Sequence, residues 1–166
     1  GGAILTSTDG VSWTSVGSFN PNKGEIRSVI YDGTQFVLVG SPAVFSYPQT
    51  TAPRIAVSTD GVTWTDKTWA YGYETLLTDV ALGGDRLTAV GANGTIITST
   101  DGGSTWTSEA QQNNNATYIT EFFGLAANGA TRVAVGRNSA YHGVIITNTG
   151  SGWTPAPRAA SVSRAS

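Results

Sequence analysis

Four times along this chain an apolar run ends in nearly the same short phrase. Its fullest form is Ser99-Thr100-Asp101-Gly102-Gly103-Ser104-Thr105-Trp106, placed after Asn93-Gly94-Thr95-Ile96-Ile97-Thr98. Shorter copies are Ser7-Thr8-Asp9-Gly10-Val11-Ser12-Trp13, after Ala3-Ile4-Leu5-Thr6, and Ser58-Thr59-Asp60-Gly61-Val62-Thr63-Trp64, after Ile55-Ala56-Val57. A worn copy, Asn148-Thr149-Gly150-Ser151-Gly152-Trp153, follows Val144-Ile145-Ile146-Thr147 and has no aspartate. Each reads as strand, tight turn, strand. The β-branched run suits a pleated, buried surface, and the Asp-Gly pair signals a turn because glycine takes positive φ without steric cost. The aspartate can fold its carboxylate back onto N–H groups of its own turn. The tryptophan then supplies an apolar plate to cover the turn.

The four tryptophans lie 51, 42 and 47 residues apart. Self-similarity at about 40–50 residues is the period of propeller blades, at four strands each. A second repeated element agrees: an apolar strand, a turn, and an apolar strand ending in Val-Gly. It occupies Ser28 to Gly40, Asp79 to Gly91 and Gly124 to Gly136. These hairpins read as the inner two strands of a blade, buried on both faces and hence continuously apolar; the Asp-Gly hairpins read as the outer two. No stretch has helical period and length, so almost no helix is expected.

The turn phrase resembles the Asp-box, the bacterial neuraminidase (sialidase-like) repeat of form S-x-D-x-G-x-T-W, and residues 99–106 match every fixed position. The resemblance implies an all-β propeller in which Ser7, Asp9, Gly10, Trp13, Ser58, Asp60, Gly61, Trp64, Ser99, Asp101, Gly103, Trp106 and Trp153 have structural roles, none of them catalytic. Over nearly its whole length the chain is similar to the short non-catalytic Asp-box repeats of secreted bacterial proteins and of phage virion and tail proteins. The catalytic sialidases carry an Arg-Ile-Pro signature and three arginines for the sugar carboxylate. This chain has Pro53-Arg54-Ile55 instead, and Arg27, Arg86 and Arg132 occupy unlike repeat positions.

The repeats divide residues 1–154 into an outer half-blade at about 1–17 and blades at about 25–66, 76–108 and 121–154, with a tail at 155–166. About three and a half blades do not close a ring, and open strand edges and flanks need covering. Only 13 residues follow Trp153, two of them proline, which leaves too little for a two-stranded hairpin. The expectation is that a second copy, or another chain, completes the propeller.

Composition narrows the function. Only 12% of residues are charged and the net charge is −2, which favours neither nucleic acid nor an anionic membrane as partner. Cysteine is absent, so disulfides, thiol catalysis and thiolate metal sites are excluded; methionine is absent as well. No apolar run reaches the roughly 20 residues that span a bilayer. His142 stands alone without clustered ligands, so no metal and no cofactor is expected. Asp79 and Glu121, near the starts of successive inner strands, are the best placed pair for glycoside hydrolysis; solvated strand ends are the plainer reading of both. The uneven loops are where contacts would be written, and Phe45, Tyr47, Trp69, Tyr71, Tyr73 and Tyr141 are the residues to stack on a glycan; filling the flank between blades or burial in a subunit contact is the plainer reading of these aromatics. Taken together, the chain reads as a non-enzymatic structural or interaction module of an extracellular or virion assembly. The alternatives are a glycan-binding lectin-like propeller and a fragment of an Asp-box glycosidase.

Overall fold

The computed structural model describes residues 3–18, 24–41, 54–67, 69, 75–109 and 119–156. Among them are only strands and turns, arranged in four antiparallel sheets. The first is a head hairpin, β1 (Ala3–Thr6) with β2 (Thr14–Ser18). Three four-stranded sheets follow, each a simple up-and-down meander. The first sheet runs β3 (Ile26–Tyr31), β4 (Phe36–Gly40), β5 (Arg54–Ser58) and β6 (Thr65–Lys67). The second runs β7 (Leu77–Gly83), β8 (Arg86–Gly91), β9 (Ile96–Ser99) and β10 (Thr107–Ser108). The third runs β11 (Ile119–Asn128), β12 (Thr131–Asn138), β13 (Gly143–Asn148) and β14 (Trp153–Pro155).

The sheets stack face to face in chain order. Successive residues of a strand point to opposite faces, so each sheet has one face toward its predecessor and one toward its successor. In the first sheet Leu38 and Ala56 point back and pack with Ile4 of the head hairpin, together with Ile26 and Trp64. Their neighbours Val37, Val39, Ile55 and Val57 point forward, onto Leu77, Val80, Leu87, Ala89, Ile97 and Trp106 of the second sheet. Val90 and Ile96 then point forward from the second sheet onto Phe122, Ala134, Ile146 and Trp153 of the third. The middle strands of the first two sheets are therefore covered on both faces, which is why their sequence is apolar without alternation. In the third sheet β12 and β13 alternate between buried and exposed, because one face has no successor among the described residues. At the other end, Val29 and Tyr31 of β3 are exposed on the backward face, beyond the reach of the two-stranded head hairpin.

The Val-Gly ending of each second strand has a steric cause. The first strand carries a register shift between Ile26 and Ser28, Leu77 and Asp79, and Phe122 and Gly124. There the backbone carbonyl of Glu25, Leu76 or Glu121 presses against Gly40, Gly91 or Gly136, filling the space that a Cβ would need. Only glycine permits that approach.

Candidate functional site

Each turn phrase folds around its serine and aspartate. In the first, the Ser7 hydroxyl donates to Asp9 Oδ1 at 2.9 Å and accepts the Gly10 N–H at 2.8 Å. Asp9 Oδ1 also accepts the N–H groups of Val11 and Ser12 at 2.8 and 2.7 Å. Ser58 and Asp60 repeat this with Gly61, Val62 and Thr63. In the longer phrase the extra glycine shifts the partners by one: Ser99 accepts from Gly103, and Asp101 accepts both the N–H and the hydroxyl of Thr105. Gly10 and Gly61 sit at φ +72° and +71°, the left-handed region that the turn requires. The indole N–H of Trp64 donates to the Gly61 carbonyl, and that of Trp106 to Gly103, so the plate is pinned over its turn.

These bonds favour the charged carboxylate. The Ser12 and Val11 N–H groups hold Asp9 far below the usual carboxylate range, and those of Thr63 and Val62 do the same for Asp60. Asp101 is lowered to about 2, first by the Thr105 hydroxyl, then by the Thr105 N–H and Ser99. A carboxylate whose folded value lies below its unfolded one adds stability above the unfolded value, and loses it as pH falls through the folded one. Melting temperature should therefore be flat from pH 7 to about 5 and fall as pH drops from about 4 toward 2. The triple variant Asp9→Asn, Asp60→Asn, Asp101→Asn should lose most of that slope in a thermal-melt series across pH. An unchanged slope would show that the turns do not set it.

The worn copy solves the turn differently. Asn148 Oδ1 accepts the Gly150 N–H at 2.7 Å, standing where the other copies have serine. The Trp153 indole N–H turns away from its turn and donates to Glu109 Oε2 at 2.6 Å. Glu109 is the hub of a charged cluster between the second and third sheets. Arg132 Nη1 lies 3.0 Å from Oε2 and also donates to the Thr88 hydroxyl, while Arg86 Nη1 lies 3.0 Å from Oε1. The Arg132 guanidinium stands 5.2 Å above the Trp153 ring. This cluster has no counterpart in the sequence reading: Glu109 follows a two-residue strand, and its partners lie far along the chain in both directions.

The paired acids considered for hydrolysis are occupied. Asp79 is not a solvated strand end. Its Oδ1 accepts the Ser28 hydroxyl at 2.7 Å and its own neighbour's N–H, from Val80, at 2.9 Å. Its Oδ2 accepts the Leu125 N–H at 2.8 Å, so one side chain bonds all three large sheets together. Glu121 binds Arg137 Nη2 at 2.7 Å. The Arg137 guanidinium is stacked in turn by Phe123 at 5.5 Å and Tyr141 at 5.1 Å.

Of the residues expected to make contacts, Trp69 is corrected as a ligand contact. It is buried in the cluster between the first and second sheets, the flank position that is its plainer reading. Tyr141 is exposed, in a turn at φ +61°. Phe45, Tyr47, Tyr71 and Tyr73 lie outside the described residues. His142 is exposed and its backbone N–H donates to Asn138 Oδ1. Among the described residues no three His, Asp or Glu side chains gather into a metal-ligating group. No helix among them is long and apolar enough to cross a membrane.

No family model matches this sequence, and no curated protein is significantly similar to it. Among solved structures the chain is similar to the phage phi92 endosialidase, with a TM-score of 0.60 at 15% identity over 86% of this chain. The match covers 28% of that protein's length, so this chain corresponds to under a third of it. At that identity the likeness is one of fold.

Proposed function

We propose that the chain is a non-enzymatic structural or interaction module of a virion or extracellular assembly. Its four-stranded sheets are blades of an Asp-box β-propeller, with the head hairpin as an outer half-blade. The carrying observation is how the acids are used. Asp79 bonds three sheets together, Glu109 anchors two arginines and an indole, Glu121 holds Arg137, and the turn aspartates bind their own backbone. Each would have to give up fold-holding bonds to act as general acid, base or nucleophile. The fold shared with a phage protein supports placing the module on a virion.

The test is a pair of assays on the purified chain: hydrolysis of sialic acid polymers and other glycans, and binding to a glycan array. Neither turnover nor binding is expected. Turnover abolished in a folded Asp79→Asn variant would replace the module with a glycosidase. Sugar binding abolished by Tyr141→Ala would replace it with a lectin.

A further inference from the structure

We infer that the exposed forward face of the third sheet is a docking surface for the head hairpin of a second copy of this chain. The inference adds a partner to the proposed module. The argument comes from a packing unit that the chain already uses twice.

A valine and an isoleucine form a cross-strand pair at the same register in every large sheet: Val39 with Ile55, Val90 with Ile96, and Val135 with Ile145. Counted from the turn phrases, the next sheet meets this pair with a fixed couple of its own. Val39 and Ile55 share a cluster with Ile97 and Trp106, and Val90 and Ile96 share one with Ile146 and Trp153. Among the described residues the third pair has no such couple over it: Val135 is 42% exposed and Ile145 52%. The same count places Leu5 and Trp13 of the head hairpin at the positions of Ile146 and Trp153, and they are 51% and 59% exposed. The head hairpin therefore presents one half of the repeated contact and the third sheet the other half. Val135 and Ile145 are direct cross-strand partners, so they form one apolar spot and not two scattered side chains.

The two faces lie at opposite ends of the stack of described sheets, so these sheets cannot bring them together by the contact they already use. A contact between unlike faces is heterologous: it closes a ring if the rotation permits and otherwise propagates. The propeller reading favours closure.

The experiment measures mass in solution by sedimentation velocity, on the wild-type chain and two exposed-face variants, Trp13→Asp and Ile145→Asp. Near-ultraviolet circular dichroism confirms that both variants fold. The wild type should associate, and each variant alone should be monomeric, because each has lost one half of the contact. Mixed in equal amounts, they should form a heterodimer and stop there, since each supplies the half that the other lacks. A wild type that stays monomeric at about 100 µM, where even a weak complex would register, overturns the inference. So does a mixture that stays monomeric, or a single variant that associates like wild type, because a face that pairs with itself needs only one of the two sites. None of these outcomes bears on glycan turnover or binding, which test the module reading separately.

Discussion

Replacing Trp106 by alanine should destabilise the chain by about 3–5 kcal/mol, read from urea or thermal unfolding. The indole is almost wholly buried between the first and second sheets, in the cluster that holds Val37, Val39, Ile55 and Val57 on one side and Leu87, Ala89 and Ile97 on the other. Val57, Leu87 and the Trp106 ring all converge on the space above Gly103, so truncation opens a cavity bounded by two sheets that are each held by their own ladders. Such a site collapses poorly, which puts the cost toward the upper part of the range. A domain of this size has roughly 5–15 kcal/mol in total. Trp13 is the control, because it occupies the same position of the same phrase yet lies on the open backward face of the head hairpin. At a concentration where the chain is monomeric, Trp13→Ala should stay within about 1 kcal/mol of wild type. Equal losses at the two positions would mean that the turn, and not the sheet-to-sheet contact, is what the indole stabilises.

That contrast also marks what the sequence carried and what it did not. The Asp-Gly turns, the strand pairs on either side and their grouping were legible because their causes are local. Positive φ needs Gly10 or Gly61, the carboxylate needs an N–H two or three residues on, and a β-branched run needs a pleated surface. The repeat spacing then extended local patterns to a succession of four-stranded sheets. Which apolar pairs stay exposed was not legible: Val135, Ile145, Leu5 and Trp13 are exposed among the described residues. Exposure depends on what stands next in space, and the Val-Ile pair is spelled alike whether covered or bare.

Side chains that act across sheets were hidden for the same reason. Asp79 at the start of a strand resembles any solvated strand end, and its partners Ser28 and Leu125 belong to the sheets before and after. Trp69 sits among tyrosines and glycine in a linking segment, a context typical of a presented loop, yet packing between two sheets turns it inward. Arg86 and Arg132 occupy unlike repeat positions, so the repeat pattern does not bring them together as members of an arginine triad. They do converge, on Glu109, and Arg27 pairs elsewhere, with Glu25 at 2.6 Å.

Glu109→Ala should cost about 3 kcal/mol, with little dependence on salt, because it strands what it leaves behind. The Arg132 side chain is only 6% exposed, and without Glu109 its guanidinium keeps the Thr88 hydroxyl and the face of Trp153 but no anion. The Trp153 indole N–H loses its acceptor at the same stroke. Breaking a buried pair from one side typically costs about 3–5 kcal/mol. The low end applies here because Glu109 itself retains some contact with solvent, which lets water reach part of the vacated site. Arg86→Ala removes the other cation on the same carboxylate, but Arg86 is 44% exposed and Arg132 remains, so the cost should be under about 1 kcal/mol. The double variant Glu109→Ala, Arg132→Ala should be markedly more stable than the two single losses added together, since no uncompensated charge then remains buried. Unfolding curves at low and high salt for the wild type, the three single variants and the double variant decide the matter. Additive losses, or a Glu109→Ala cost that vanishes in salt, would reduce the cluster to an ordinary surface ion pair. The coupling between the second and third sheets would then rest on the apolar cluster of Val90, Ile96, Phe122, Ala134, Ile146 and Trp153 and on bonds such as that from the Leu125 N–H to Asp79.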